Sequence, residues 1–291
     1  MTVLRVVFDT NVFQKDSFEL LEQSPFRQLV EEGLVNVIYS HIFQEEIFKA
    51  YRIDAKRDDL LNKWIPYVLN TSDRLCNDFV HIWEDELINN RKHQTPIYMP
   101  PKDYGALRRN VRALPPDGSW HGFERARQDL DENDRKRKAQ NREWRAIRQA
   151  VKDWRRAPEN AANKHARSEL VDIMKTEFIP FGRSFIKHHF KHRSPIGLAA
   201  RWARSPSAYP YFSQFVRNMV YMGYYAAMRD NDKIDLNAQA DLDLMTHLLH
   251  ADVLVSNETK FMRLAFRDLW ESKGKLFFNT EQFVQHVASI R

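Results

Sequence analysis

The stretch Leu4-Arg-Val-Val-Phe-Asp-Thr-Asn11 decides the fold of this chain. Its apolar and β-branched run predicts a buried strand over Leu4–Phe8, and Asp9 ends that strand. Residues 34–39 form a second apolar run, with the apolar spacing of a helix on either side. Strand, helix, strand and helix within about fifty residues are typical of an α/β fold with a parallel sheet.

The C-terminal end of the sequence shows the same alternation. Residues 242–249 carry one apolar helix face, residues 253–256 predict a buried strand, and residues 261–270 predict another helix. Residues 275–278 predict the last strand, and Thr280 is the predicted N-cap of a final helix. We therefore expect both ends of the chain to contribute strands to one central parallel sheet.

The middle of the sequence differs from both ends. Residues 54–210 contain no convincing strand and are rich in Arg, Lys, Trp and Asn. Residues 120–154 have a helical and very polar pattern. We therefore predict an α/β core made of residues 1–53 and 211–291, interrupted by a long, mostly α-helical, basic insertion at residues 54–210.

Basic residues are concentrated in one part of this insertion. The whole chain has 45 Lys and Arg against 39 Asp and Glu, a formal net charge of +6. The clustered residues, at helical spacing, are Arg135, Lys136, Arg137, Lys138, Arg142, Arg145, Arg148, Lys152, Arg155 and Arg156, with Trp144 and Trp154 among them. We interpret this stretch as a face that follows a nucleic-acid backbone, with indoles available to stack on bases. The alternative is a solvated helix whose tryptophans pack within the insertion.

Composition and motif content exclude several classes of protein. The single cysteine, Cys76, rules out an intrachain disulfide and a Cys-rich zinc site. The 8 glycines form no Gly-rich phosphate loop, which argues against P-loop NTPases and nucleotide-cofactor enzymes. The apolar stretches at the start and at residues 219–228 are too short for a signal peptide or a membrane span, so we expect a cytoplasmic protein without a membrane partner. His188, His189 and His192 lie in a basic, aromatic segment and are assigned no metal.

Acidic residues follow or flank the predicted strands. In a parallel sheet, functional groups gather where the strands end, which places Asp9 and residues 256–258 at one edge. Ser40 is the predicted N-cap of the helix after the second strand, and Glu46 lies on that helix. Asp241 lies at the head of the helix that leads to the later strand. We expect these acids to converge.

The four converging carboxylates are those of Asp9, Glu46, Asp241 and Glu258. Such a group is strongly repulsive unless cations neutralise it, and oxygen ligands suit Mg²⁺ or Mn²⁺. A site of this kind suits metal-assisted hydrolysis of a phosphodiester. Asp243 is an alternative to Asp241 because the register depends on where the helix begins, and Glu45 is a lesser alternative to Glu46.

Each acid taken alone also has an ordinary structural explanation. Asp9 could cap the turn after a strand. Glu46 could be a solvated helix residue, and Asp241 or Asp243 could be a first-turn acid that the helix dipole favours. Only their combination, in this order along the chain, favours metal ligation.

Four sequence motifs resemble those of PIN-domain nucleases. They are Val6-Val-Phe-Asp-Thr-Asn11, Ser40-His-Ile-Phe-Gln-Glu-Glu46, Asp241 with Ala251-Asp-Val-Leu-Val-Ser-Asn-Glu258, and Leu276-Phe-Phe-Asn-Thr-Glu-Gln-Phe283. The resemblance implies a three-layer PIN-like fold in which Asp9, Glu46 and Asp241 bind Mg²⁺ or Mn²⁺. It also implies that Asn11 and Ser256 position water or phosphate.

The chain departs from the family pattern at three points. Glu258, the candidate fourth acid, stands where the family usually has Asp, and Ser256 stands where it has Thr. Both changes keep the ligand or donor chemistry, although the longer Glu side chain shifts the second metal position. The long insertion is not part of the minimal PIN fold, and the number of metal ions stays open.

The function implied by the resemblance is that of an endonuclease that hydrolyses phosphodiesters with metal-activated water, with RNA favoured over DNA. The alternative is a catalytically inactive PIN-fold protein that binds RNA or DNA. A phosphotransferase of the aspartyl-phosphate kind needs a second acid two residues after the nucleophile, where this chain has Asn11. The sequence leaves open a homodimer or a protein partner.

Overall fold

The computed structural model describes residues 3–72, 74–156, 170–228 and 238–290 of the 291-residue chain. These residues form two compact units. The sheet unit comprises the described residues of Met1–Phe79, Pro96–Glu132 and Ala240–Arg291, and the helical unit comprises those of Val80–Thr95 and Asn133–Gln239.

Among the described residues, the sheet unit contains a four-stranded parallel sheet. Its strands are β1 (Leu4–Phe8), β2 (Val35–Ile38), β3 (Val253–Val255) and β4 (Leu276–Phe278). The strand order is β2-β1-β3-β4, and every neighbouring pair is parallel. The prediction of an α/β fold with a central parallel sheet built from both ends of the chain is confirmed.

Helices account for most of the other described residues. In chain order, helices α1 to α14 span Lys15–Gln23, Phe26–Glu31, His41–Tyr51, Asp54–Asp59, Ile65–Thr71, Phe79–Ile88, Pro101–Arg112, Glu124–Arg156, Leu170–His189, Pro195–Arg204, Pro210–Met228, Ala238–Thr246, Phe261–Leu269 and Thr280–Ala288. A 3₁₀ turn at Thr10–Phe13 follows β1, and a π-helical turn at Leu60–Trp64 lies between α4 and α5. No helix in the described ranges is long and apolar enough to cross a membrane.

The sheet is buried on both faces. Val6 and Phe8 of β1 share a hydrophobic cluster with Val253 and Val255 of β3, which places them on one face. Val7, between the two β1 residues, is fully buried as well. Successive side chains of a strand point to opposite faces, so packed elements cover both sides of the sheet, as in a three-layer α/β fold.

Phe8 lies at the centre of the aromatic part of this cluster. Its ring centroid lies 5.3 Å from that of Phe26 in α2 and 5.3 Å from that of Phe283 in α14, and both pairs are edge-to-face. Each such pair adds about 0.5–1.5 kcal/mol beyond the burial of its surface. Because Phe8 directly precedes Asp9, this packing fixes the strand end that carries the first predicted acid.

The middle of the chain is helical where the structure describes it. The described part of residues 54–210 contains no β-strand, and its one β-type pairing is an isolated bridge between Cys76 and Tyr98. The bounds of the two units nevertheless differ from the predicted division at residues 53 and 210. Tyr67 and Val68 of α5 pack in the same cluster as Phe8, and α11 belongs to the helical unit.

One of the two predicted helix caps is confirmed. The hydroxyl of Ser40 caps α3 by accepting the N–H of Phe43 at 3.1 Å. The prediction that Thr280 caps the last helix is wrong. Asn279 caps α14 because its side chain accepts the N–H of Gln282 at 2.8 Å, and the two residues form a reciprocal capping box.

In the helical unit, α9 and α10 approach each other closely at Gly182. A Cβ atom on Gly182 would lie 2.2 Å from the indole ring of Trp202. Trp202 is fully buried, and its indole N–H donates to the hydroxyl of Ser213 at 3.0 Å. The ring is therefore held in place, and the contact requires a residue without a side chain.

We predict that Gly182→Ala lowers the free energy of unfolding of the helical unit by up to about 2 kcal/mol, because moving the indole costs up to about 3 kcal/mol. This cost outweighs the roughly 1 kcal/mol that alanine gains over glycine in a helix. Gly197→Ala in α10 is the matched control, since a Cβ there would have no described atom within 4 Å apart from its chain neighbours and the backbone of its own helix. Denaturant unfolding with hydrogen exchange of α9 amides measures both variants. Equal stability of the two contradicts the prediction.

Candidate active site at the carboxyl edge of the sheet

Asp9 is the first residue beyond β1, and the sheet fixes its position. Its backbone N–H donates to the carbonyl of Val255 at 2.9 Å, which extends the β1–β3 pairing by one residue. Its Oδ2 accepts a hydrogen bond from Asn11 Nδ2 at 2.6 Å and another from Ser256 Oγ at 2.6 Å. Such short bonds to a carboxylate are the stronger, charge-assisted kind.

Ser256 is the corresponding residue beyond β3. It is 1% exposed, and its N–H donates to the carbonyl of Phe278 at 2.9 Å, so it is held between two neighbouring strands. Its hydroxyl also accepts from Asn11 Nδ2 and from the N–H of Glu258, both at 3.1 Å. The structure thus brings together Asp9, Asn11 and Ser256, three of the predicted site residues.

Asn257 is a polar residue of this edge that the sequence analysis did not single out. Its N–H donates to Asn11 Oδ1 at 2.9 Å, and its Nδ2 donates to Ser17 Oγ at 3.1 Å. Its Oδ1 accepts the N–H and hydroxyl of Thr280 at 3.0 and 3.1 Å. Asn257 therefore ties the turn after β1 to the start of α14. Its position between two predicted site residues, Ser256 and Glu258, was the sequence feature that could have identified it.

Glu46 of α3 reaches the same site through Thr10. The hydroxyl of Thr10 hydrogen-bonds Glu46 Oε2 and lies 3.5 Å from Asp9 Oδ1. The neighbouring Glu45 has a different environment, since its Oε1 lies 3.8 Å from His41 Nδ1. Two carboxylates, those of Asp9 and Glu46, thus face one hydroxyl group. Thr10 was not among the predicted site residues.

The surroundings of Asp9 raise the pKa of its carboxyl above the usual value of an aspartate. Burial raises the pKa of the Asp9 carboxyl to about 6, and repulsion from Glu46 adds to the rise. The hydrogen bond from Ser256 opposes the rise because it stabilises the charged form. A cation placed between the two carboxylates would lower this pKa.

The described contacts of the Glu258 carboxylate lie at the start of α13. Glu258 Oε1 accepts the N–H of Lys260 at 2.7 Å, and its Oε2 accepts the N–H of Met262 at 2.6 Å. Both donors lie at the start of α13, whose free N–H groups and dipole favour a negative charge. Its longer side chain, compared with Asp, therefore serves the helix start.

Asp241 and Asp243 both lie in α12, and both are partly buried. Among the described contacts of Asp9 and Glu46, neither of these two acids takes part. The choice between Asp241 and Asp243 as the third acid therefore stays a prediction.

The donor set at Asp9 suits a hard divalent cation with few protein ligands. Across the described residues, no group of three or more His, Cys, Asp or Glu side chains is arranged to hold a metal ion. Asp9 and Glu46 offer two carboxylates, with the hydroxyl groups of Thr10 and Ser256 and the side-chain amide of Asn11 beside them. Mg²⁺ commonly binds through one or two carboxylates and keeps several waters. The carboxylates of Asp9 and Glu46 fit such an ion, and the predicted group of four carboxylates stays a prediction.

We predict opposite shifts of the Asp9 pKa in two variants. Ser256→Ala raises it above about 6 because the charged form loses a donor, and Glu46→Gln lowers it because a neighbouring charge is removed. Carboxyl ¹³C NMR titration in the presence of chelator measures both shifts.

The same pKa sets a pH dependence of stability. Because the folded pKa lies above the unfolded value of 3.8, the contribution of Asp9 to stability is present at low pH and is lost as the pH rises through about 6. Glu46→Gln should lose less stability over this range than the wild type. If Ser256→Ala and Glu46→Gln shift the Asp9 pKa in the same direction, the roles assigned to Ser256 and Glu46 are wrong.

No family model matches this chain, and comparisons with curated proteins and with solved structures find no match either.

Proposed function

We propose that this protein is a metal-dependent endonuclease with a PIN-like fold, which hydrolyses phosphodiesters in RNA. One observation carries the proposal. Asp9, at the carboxyl end of β1, faces Glu46 across the hydroxyl of Thr10, while Ser256 and Asn11 hold its other oxygen. Catalytic groups of parallel α/β sheets gather at this edge.

In this mechanism Asp9 and Glu46 would hold Mg²⁺ or Mn²⁺. When bound, such an ion would act as a Lewis acid toward the phosphate and would lower the pKa of a water molecule. Asn11 and Ser256 orient Asp9 by fixing Oδ2, so that Oδ1 remains on the side of Glu46. Burial of Asp9 strengthens its attraction for a cation, because charges interact more strongly where water is excluded.

The four PIN-like motifs support this proposal, and the preference for RNA rests on that resemblance. The strand ends after β1 and β3 carry two of the motifs, and the cap at Ser40 sets the register of the helix that carries Glu46. The resemblance implies Asp241, with Asp243 as its alternative, as a third ligand, and this part of the proposal rests on the motif alone.

A catalytically inactive PIN-fold protein that binds RNA or DNA is the second candidate function. The observation that favours it is the carboxylate of Glu258, which is bound to the start of α13 rather than to the Asp9 site. Calorimetric titration with Mn²⁺ separates the candidates, because binding that depends on Asp9 supports the nuclease.

We predict that Asp9→Asn and Glu46→Gln each lower Mn²⁺-dependent cleavage of single-stranded RNA by about 100-fold or more, since each removes a charged ligand. Asp252→Asn is the matched control. Asp252 belongs to the same sheet unit but precedes β3, at the opposite edge, where it pairs with Arg5 at 3.4 Å.

Cleavage is measured on mixed RNA and DNA substrates, with Mn²⁺ and with chelator, and circular dichroism confirms that each variant is folded. Asp252→Asn should cleave like the wild type. Full activity of folded Asp9→Asn, free of contaminating nuclease, would refute the proposal.

A further inference from the structure

A cavity of about 160 Å³ adjoins the Asp9 site within the sheet unit. Thr10 and Glu46 both line it, so the cavity and the carboxylate pair share two residues. Its volume is well below the roughly 300–1,000 Å³ of pockets that enclose a whole drug-sized ligand. The cavity therefore has room for one ring system rather than for a larger molecule.

An indole borders this cavity. Trp64 lines it and also packs, partly buried, against two hydrophobic clusters of the sheet unit. It ends the π-helical turn Leu60–Trp64, a rare element that is frequent at functional sites. Core packing thus holds the ring while part of it faces the cavity, as a surface for stacking requires.

Two cationic side chains also line the cavity. Lys49 of α3 and Lys56 of α4 are both partly buried there. A lysine ammonium is a point charge suited to a phosphate group. A ligand that combines a flat ring with an anionic group satisfies both the indole and the lysines, and a nucleotide has this combination.

We propose that this cavity holds one unpaired base of a single-stranded nucleic acid, stacked on Trp64, with Lys56 and Lys49 at the adjoining phosphates. The inference rests on the proposed function and deepens it, because it makes the substrate single-stranded beside the carboxylate pair. A base within a duplex is stacked on both sides and is therefore kept out.

The experiment measures binding of a short, fluorescein-labelled oligouridylate to the full chain by anisotropy, in chelator, so that no cleavage occurs. Ala50→Phe places a ring in the cavity, because Ala50 lines it. We expect this variant to bind about tenfold more weakly, the order of effect of losing one stacked base. A probe with abasic sites should bind the wild type more weakly than the oligouridylate does. It should bind Ala50→Phe and the wild type with equal affinity.

Lys56→Met tests the phosphate contact. We expect weaker binding and a slope of log affinity against log salt that is smaller by about 0.7, the value for one phosphate contact on a single strand. Lys63→Met is the matched control, since Lys63 pairs with Asp59 at 2.9 Å and does not line the cavity. It should leave both affinity and slope unchanged.

The inference is overturned if Ala50→Phe and Lys56→Met both keep the affinity and the salt slope of the wild type. It is also overturned if the protein binds the single-stranded oligouridylate and the same strand in a duplex equally well. If Ala50→Phe does not fold, Lys56→Met with the abasic probe decides. Addition of Mn²⁺ separates this inference from the proposed function. If binding depends on the cavity residues but no cleavage occurs, only the proposed nuclease function is refuted. If cleavage depends on Asp9 but Ala50→Phe and Lys56→Met bind normally, only the proposed base-binding cavity is refuted.

Discussion

The hydrogen bond from Ser256 Oγ to Asp9 Oδ2 joins residues that are 247 positions apart, and the candidate site depends on it. It can form only when β1 and β3 pair, because both residues lie directly beyond the ends of these strands. Closing a loop of this length costs chain entropy. Burial of Val6, Val7 and Phe8 offsets that cost, so the hydrophobic sheet and the polar site form together.

The polar groups around this bond form a connected network. Asn11 and Asn257 each use both their amide nitrogen and their amide oxygen, and their partners lie beyond β1, beyond β3 and at the start of α14. Partly buried polar groups that are satisfied in this way hold one geometry, because breaking one bond leaves a group without water or partner. A site held at strand ends by such a network is rigid, which suits precise placement of a cation.

Sequence reasoning located the strand ends because their signal is local. An apolar run predicts a buried strand, and the first polar residue after it, such as Asp9, must lie at the edge. The cap at Ser40 is also local, since it needs only a hydroxyl before a helix. By contrast, the role of Thr10 depends on where α3 lies in space, and no spacing encodes that. The helical pattern of α5 likewise shows an apolar face but not which core that face joins.

Competition between neighbouring groups explains where the carboxylate of Glu258 binds. Glu258 has a local partner, because two free N–H groups at the start of α13 lie within reach of its side chain. These donors compensate its charge without any ion. The Asp9 carboxylate also accepts hydrogen bonds, but burial and the repulsion from Glu46 nevertheless raise its pKa to about 6. Two carboxylates therefore repel each other at this pair, and a divalent cation bound between them would relieve that repulsion.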